Sequence, residues 1–305
     1  MRERAQIRLL PDGRRLHLRD GPIDLIVEAF GVPREINAGY RGAADRFMTV
    51  LDELCGELRL LRRPARGPTG KKSTLPLGVI ARRMHEAVVP YCQRTFITPM
   101  AAVAGAVAEE ILVSMTSAAA LSRAYVNNGG DIALHLARGE HLVVGMVERP
   151  DRPSLFGTAV LDSTQPVRGI ATSGWRGRSF SLGIADAVTV LADRAAMADA
   201  AATVVANAVD LPGHAGVVRV PARDLAPDSD LGNRLVTQGV GELSTCEIAA
   251  ALDAGVAVAK SLLSDGLIRS AALHLRGNTR IVCAESARLV AASESAPPSG
   301  SFIHA

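Results

Sequence analysis

The sequence is poor in residues that mark several common protein classes. Aromatic residues fill 3% of its 305 positions, with a single tryptophan. A surface that stacks nucleic-acid bases needs more aromatic rings than this, so nucleic acid is not an expected partner. The cysteines show no Cys-x-x-Cys spacing, which favours buried free thiols over disulfides or zinc ligands. There are four of them: Cys55, Cys92, Cys246 and Cys283.

Long hydrophobic runs are also scarce. The apolar run over residues 100–108 ends at Glu109 and Glu110 and is too short to cross a bilayer. The first ten residues carry Arg2, Arg4 and Arg8, and no hydrophobic stretch follows them, so a secretory signal is not expected. These features predict a cytoplasmic protein without a membrane partner.

Apolar residues and charge give a second set of limits. Apolar residues make up 48% of the chain, enough for a sizeable core built mostly from Ala, Val, Leu and Ile. The net charge of +3 does not demand a polyanionic partner, although residues 1–94 hold 18 Lys and Arg against 11 Asp and Glu. That surplus either attracts an anionic ligand or is an ordinary solvated, arginine-rich face.

Apolar spacing along the chain predicts a mixture of helices and strands. Two or three strands are expected within residues 5–30, with turns at 11–13 and 20–22. Further strands are expected at 124–126, 131–136, 141–147, 155–161, 187–191, 271–275 and 279–283. Helices are expected at 38–61, 77–93, 97–117, 194–208 and 244–263. Asp193 is the expected N-cap of the fourth helix, residues 168–174 are expected to form a loop, and residues 292–305 a disordered tail.

One predicted helix carries a candidate metal site. Asp199 and Thr203 are four residues apart and therefore project from one face, and Asn207 continues the row one turn later. A carboxylate beside a hydroxyl suits a hard cation such as Mg²⁺, which takes one or two protein oxygens and then phosphate oxygens. The alternative is a solvated aspartate and a threonine that bonds the helix backbone.

Three segments together resemble the ApbE-type flavin transferases in order and spacing. They are Tyr-Val-Asn-Asn-Gly-Gly-Asp-Ile at 125–132, Gly-Ile-Ala-Thr-Ser-Gly at 169–174 and Ala-Asp-Ala-Ala-Ala-Thr at 198–203. The corresponding family marks are an Asn/Asp-x-Gly-Gly-Asp/Glu hairpin, an Ile-Ala-Thr-Ser-Gly loop and an Ala-Asp-Ala-Leu-Ser-Thr helix. The resemblance covers about residues 97–209, and residues 100–105 are similar to the family's flavin-facing helix start.

The resemblance implies a layered α+β fold of two similar lobes with the ligand pocket between them, in one domain over residues 1–291. It implies that Asp199 and Thr203 hold Mg²⁺ with a carbonyl from near Val103, and that the metal grips the pyrophosphate of FAD. The family transfers FMN onto a Thr or Ser of a flavoprotein acceptor. The residues implied to line the flavin pocket are Asn127, Gly129, Gly130, Asp131, Thr172, Ser173, Gly174 and Gly105.

The sequence departs from the family between the second and third segments. The family places a His-x-x-Asp-Pro segment there, with a histidine implicated in catalysis, whereas residues 175–185 contain neither. Ser179, Ser181 or Asp186 are the available substitutes for a base, and Trp175 is expected either to stack on a flavin or to pack in the core. Two functions therefore stay open: a Mg²⁺-dependent flavin protein that transfers FMN, and a non-catalytic binder or carrier of a flavin or another phosphorylated ligand. A homo-oligomer is also compatible with the sequence.

Overall fold

The computed structural model describes residues 5–67, 75–147, 155–283, 289–291 and 302–304. The strands are β1 Gln6–Leu9, β2 Leu16–Asp20, β3 Ile23–Phe30, β4 Arg123–Asn128, β5 Asp131–Leu136, β6 His141–Val147, β7 Leu155–Asp162, β8 Gly169–Ser173, β9 Ala187–Ala192, β10 Val217–Pro221, β11 Leu235–Val240, β12 Ser270–Leu275, β13 Asn278–Cys283, β14 Leu289–Ala291 and β15 Phe302–His304. The α-helices are α1 Pro33–Leu61, α2 Val79–Val88, α3 Val103–Ala118, α4 Ala195–Ala208, α5 Ala222–Leu225 and α6 Thr245–Ser264. Short 3₁₀ helices occupy Val89–Tyr91 and Pro99–Ala102.

One antiparallel sheet of nine strands organises the fold. Its order is β1-β2-β3-β4-β5-β8-β9-β12-β13, and β5 pairs with β8 through Ile132↔Ile170 and Ala133↔Gly169. This pairing joins the half built on β1–β5 to the half built on β8, β9, β12 and β13. The predicted lobes are therefore the two halves of a single sheet.

Helices cover one face of the sheet and build the larger core. α1 and α3 lie over β2–β5, while α4 lies over β8 and β9 and α6 over β12 and β13. Their small apolar side chains, including Ala106, Ala198, Ala202 and Val205, are fully buried, as the alanine-rich composition predicts. Helices built this way can approach the sheet and one another closely.

A second core lies on the opposite face, beneath a smaller sheet of order β14-β7-β6-β15. Ile132 and Leu134 of β5 point into it, where they meet Leu142, Val144 and Leu161 of the smaller sheet. Strand β5 thus alternates between the two cores, as its sequence predicts. The expectation of a layered α+β fold is confirmed.

The helices α3 and α4 approach each other closely at Gly105. A Cβ atom on Gly105 would lie 2.3 Å from the carbonyl oxygen of Ala195 and 2.8 Å from the Ala196 nitrogen. No larger residue fits without moving a backbone segment. Gly105 therefore fixes the spacing of the two helices that carry the candidate metal site.

The N-terminus of α4 is capped differently from the prediction. Arg194 occupies the N-cap position without a side-chain cap, and the Ala196 N–H donates to Glu109 Oε1 on α3 at 2.8 Å. A carboxylate at a helix N-terminus satisfies a free N–H and favours the helix dipole. Asp193 instead forms a bidentate ion pair with Arg269, with both N···O distances at 2.6 Å. The prediction of an Asp193 cap is wrong.

Several other expectations need correction. Residues 169–173 form strand β8 rather than a loop, because their backbone pairs with β5 and β9 on both sides. α1 begins at Pro33, since Pro33 fits the first helical turn. The cysteines are free, as predicted, but Cys55, Cys246 and Cys283 are exposed rather than buried. Residues 292–301 and 305 of the predicted disordered tail lie outside the described residues, so that prediction stands untested there, whereas Phe302–His304 pair with β6.

The segment Pro99–Ala118 is long and apolar enough to cross a membrane, and half of its most apolar stretch is buried inside the fold. Its two charged residues, Glu109 and Glu110, pair with Arg83 at 3.0 Å each. Glu110 also pairs with Arg46 of α1 at 2.7 Å. The segment packs between α1 and α4 as a core helix.

The Gly105 contact predicts opposite effects for the same substitution in two helices. Gly105→Ala should lower the free energy of unfolding by about 1–3 kcal/mol, because its Cβ collides with the α4 backbone. Gly56→Ala in α1, where a Cβ meets nothing within 4 Å, should raise it by about 0.5–1 kcal/mol. Urea unfolding of both variants measures the difference. A Gly105→Ala protein as stable as Gly56→Ala would contradict this helix spacing.

Candidate functional site

Asp199 lies on the face of α4 that meets the start of α3. Its Oδ2 accepts the N–H of Gly105 at 3.0 Å, and the N–H of Ala104 also bonds its carboxylate. Burial raises the pKa of Asp199 to about 7, against the lowering effect of these two amides. Asp199 is half-buried, so it reaches the surface where α4 meets the start of α3 and the β4–β5 hairpin, a place called the cleft below.

The hairpin between β4 and β5 forms the neighbouring wall. Asn128 and Asp131 pair across a two-residue turn in which Gly129 and Gly130 both have positive φ, at 68° and 111°. Glycine is the residue that adopts such angles without strain. The Asn127 side chain accepts the Gly130 N–H at 2.8 Å, and the Asn128 side chain donates to the carbonyl of Ala104 at 3.2 Å.

The hairpin brings a second carboxylate to the Asp199 cleft. Burial and repulsion by Asp199 raise the pKa of Asp131 well above its usual value, while the Thr172 N–H and the positive charge of Arg178 oppose the rise. Two carboxylates that repel each other across a partly dry cleft destabilise each other's charged form. A bound cation would relieve this repulsion.

The end of β8 supplies the third wall. Thr172 uses its N–H for Asp131 and pairs its hydroxyl with that of Thr189 at 2.8 Å. Ser173 follows and is half-buried, whereas Gly174 is buried. A Cβ on Gly174 would lie 2.4 Å from the Asp186 carbonyl oxygen, so Gly174 permits close backbone packing. Gly174 and Gly105 are thus placed where backbone segments pack closely.

Of the three polar residues predicted to lie on one face of α4, Asn207 has a structural role. Thr203 is half-buried one turn after Asp199, on the same face. Asn207, one turn further, accepts the Leu182 N–H at 2.9 Å and the Ser181 hydroxyl at 3.2 Å. Asn207 therefore anchors the segment that runs from β8 to β9 beside the cleft.

Residues 174–186, which stand in the sequence where the ApbE-type proteins have their histidine segment, are held in place by hydrogen bonds to Asp186. Asp186 is 4% exposed, and its Oδ1 accepts from Trp175 Nε1 at 3.2 Å and from Arg176 Nε at 2.7 Å. Its Oδ2 accepts the N–H of Arg276 at 2.7 Å. The guanidinium of Arg176 also covers the Trp175 ring at 4.4 Å. Trp175 thus has structural partners at its N–H and on its ring.

The three residues considered as substitutes for the catalytic base differ in their hydrogen bonds and exposure. Asp186 is saturated by three donors, and Ser181 is buried and donates to Asn207. Ser179 is exposed. Neither Asp186 nor Ser181 is placed to take a proton from an incoming hydroxyl group.

The structure brings four of the predicted site residues to one cleft: Asp131, Asp199, Gly105 and Thr172. It adds two contributors that no sequence pattern indicates, the amide of Ala104 and the side chain of Arg178. Arg178 lies against Gly129, with Nη2 2.3 Å from where a Cβ of that residue would stand. The pairing joins two loops about 50 residues apart, which periodicity cannot detect.

The carboxylate pair predicts a pH-dependent cost in the metal-free protein. A carboxyl group whose pKa is raised by folding costs the protein stability as pH rises above the group's ordinary value of 3.8, and Asp131 has such a raised pKa. With EDTA present, Asp131→Asn should therefore exceed the wild type in unfolding free energy at pH 8 by more than the roughly 0.5 kcal/mol typical of a surface substitution, and match it near pH 4.

Urea unfolding at both pH values measures this difference. Asp253→Asn removes an exposed carboxylate from α6 and should change the unfolding free energy by less than about 0.5 kcal/mol at either pH. An Asp131→Asn protein less stable than the wild type at pH 8 would contradict the repulsion.

Archaeal relatives match part of this chain. A UPF0280 protein of Methanopyrus kandleri is 40% identical over 129 residues, which cover 42% of this chain and 48% of that protein. A UPF0280 protein of Methanococcoides burtonii is 41% identical over 122 residues, or 40% and 49% of the two chains. The chain thus spans about half the length of the curated relatives it matches.

A solved structure and a family model match more of the chain. The flavin transferase ApbE from Vibrio cholerae aligns with 92% of this chain and 98% of its own, at 13% identity and a TM-score of 0.38, a similarity too low to carry over residues or activity. The family model described as "AbpE bacteria" matches residues 7–281. The chain therefore belongs to this bacterial family, and the resemblance of its motifs to the ApbE-type proteins is confirmed.

Proposed function

We propose that this protein binds a flavin nucleotide, FAD or FMN, together with Mg²⁺ in the cleft between Asp131 and Asp199. The observation that carries the proposal is that the hairpin of Asp131 and the helix of Asp199 meet at the start of α3, through the bonds Asn128–Ala104 and Gly105–Asp199. Burial raises the pKa of both carboxyl groups there, and Asp199 further raises that of Asp131. A divalent cation between them would offset the repulsion, and oxygen ligands are those that Mg²⁺ prefers.

The donor set fits such a cation. Asp199 and Thr203 stand on one helix face, and Asp131 reaches the same cleft from the hairpin. The described residues contain no group of three or more His, Cys, Asp or Glu side chains that could hold a metal ion, so the proposed site relies on two carboxylates and the Thr203 hydroxyl. We propose Asp199 and Thr203 as the ligands of the metal, which would neutralise phosphate charge when bound.

The chain's own groups would do the rest of the binding. The Gly129–Gly130 turn is partly exposed, but the Gly130 N–H already donates to the Asn127 side chain and Arg178 lies against Gly129, so the turn forms a wall of the cleft and not an open amide pocket. Thr172 and Ser173 end β8 next to the hairpin, where the Thr172 N–H bonds Asp131. We place the flavin nucleotide's phosphates at the metal, whose charge would offset theirs.

Transfer of FMN to a protein acceptor is the second candidate function. Membership in the ApbE-like family favours it. The contacts of Asp186 and Ser181 oppose it, because both side chains are committed to holding residues 174–186 in place. We therefore propose flavin binding as the primary function, in a cytoplasmic protein, with a flavoprotein as the acceptor if transfer occurs.

Equilibrium binding tests the metal ligands. With Mg²⁺ present, Asp199→Asn and Thr203→Val should each raise the Kd for FAD at least about tenfold, equivalent to about 1.4 kcal/mol for a lost metal ligand. Removing Mg²⁺ from the wild type should weaken binding by a similar factor. Asp193→Asn is the matched control, because Asp193 precedes the same helix but pairs with Arg269, and it should bind FAD as the wild type does.

Fluorescence titration or calorimetry gives the Kd values. Wild-type protein that binds no flavin nucleotide, with or without Mg²⁺, would overturn the proposal. Incubation with FAD, Mg²⁺ and an acceptor protein carrying a flavinylation site separates the two candidate functions. Flavin fluorescence on the acceptor band would establish transfer, whereas tight binding without labelling would favour a carrier.

A further inference from the structure

Three arginines lie around residues 174–186, and their charges are used differently. Arg176 forms an ion pair with Asp186 at 2.7 Å. Arg276 donates from its side chain to the carbonyls of Val240 and Gly241. Arg178, by contrast, forms no ion pair within 4 Å in the part of the chain that the structure describes, and its side chain is exposed. Its charge therefore stays available to an anion.

The hairpin turn fixes where that charge lies. The guanidinium of Arg178 rests on Gly129, where a Cβ would lie 2.3 Å from Nη2 and 3.1 Å from Cζ. A residue with a side chain at position 129 would displace it. The guanidinium therefore lies on the Gly-Gly turn near Asp131, and its positive charge attracts the Asp131 carboxylate. The arginine thus stands at the rim of the cleft that holds both carboxylates.

Charge balance in the cleft explains why an anion would need this arginine. Two ionised carboxylates repel a phosphate, and one Mg²⁺ only neutralises them. Arg178 adds the surplus positive charge, and a guanidinium binds phosphate oxygens through two parallel N–H groups. If Arg178 only packed against the hairpin, an uncharged side chain would serve equally well.

We infer that Arg178 binds the phosphate groups of the ligand and makes the site selective for a diphosphate-bearing nucleotide over its uncharged counterpart. The inference rests on the proposed function and specifies its ligand class. The guanidinium would hold the diphosphate from the hairpin side, while the cation at Asp199 holds it from the helix side. An uncharged flavin such as riboflavin would gain nothing from Arg178.

Binding of three probes in the presence of Mg²⁺ tests the inference: FAD, riboflavin and inorganic pyrophosphate. Arg178→Gln should weaken FAD and pyrophosphate by about 10- to 100-fold, the range for lost charge-assisted hydrogen bonds, and leave riboflavin within about twofold. Arg178→Lys should recover part of the loss. Arg138→Gln removes an exposed arginine from the β5–β6 turn and should leave all three probes unchanged.

Displacing the guanidinium without changing its charge gives an independent test. Gly129→Ala should weaken FAD binding as Arg178→Gln does, since its Cβ occupies the seat of the guanidinium. Gly139→Ala is the control, because Gly139 also has a positive φ, of 87°, but its Cβ would meet nothing within 4 Å. Both variants carry the backbone strain, so only the difference between them reports on Arg178.

The outcomes separate this inference from the proposed function. FAD binding within twofold of the wild type in Arg178→Gln would overturn the inference and leave the flavin site standing. Pyrophosphate binding that needs Arg178, in a protein that binds no flavin, would support the inference and overturn the flavin assignment. Wild-type protein that binds neither FAD nor pyrophosphate would overturn both.

Discussion

The contact between α3 and α4 at Gly105 is the constraint on which the candidate site depends. Because Gly105 has no side chain, the two helices approach until its N–H reaches the Asp199 carboxylate at 3.0 Å. The same approach lets Glu109 of α3 cap the first turn of α4. Gly105 thereby positions the Asp199 carboxylate, and Glu109 on the same helix accepts a free N–H at the start of α4.

The cleft forms where the two halves of the large sheet join. The pairing of β5 with β8 places Asp131 beside Thr172, and α4 crosses above them with Asp199. The fold accepts two repelling carboxylates there, which costs stability in the absence of a cation. Such a cost is typical of sites that are shaped for a ligand rather than for packing. The same junction explains why the motifs, far apart in sequence, converge.

The spacing of apolar and polar residues predicted those features that depend on neighbouring residues in the sequence. The alternation of Ile132, Leu134 and Leu136 located β5, and the spacing of Asp199 and Thr203 placed both on one helix face. The strand at 169–173 was missed because its Gly, Thr and Ser residues are typical of loops, and only pairing on both sides makes it a strand. The Glu109 cap of α4 joins residues 87 positions apart, and the contact of Arg178 with Gly129 joins residues 49 positions apart. Contacts over such separations cannot be recognised from a local sequence pattern.

The central claim is that Asp131 and Asp199 frame a cation that holds a phosphate-bearing ligand. Anomalous diffraction from crystals grown with Mn²⁺ and FAD tests it most directly, since Mn²⁺ takes the same oxygen ligands as Mg²⁺ and is visible by its anomalous scattering. The account predicts a peak within about 2–2.5 Å of an Asp199 carboxylate oxygen, with the FAD phosphates between that peak and Arg178. A Mn²⁺ peak elsewhere, or a flavin bound away from this cleft, would contradict it.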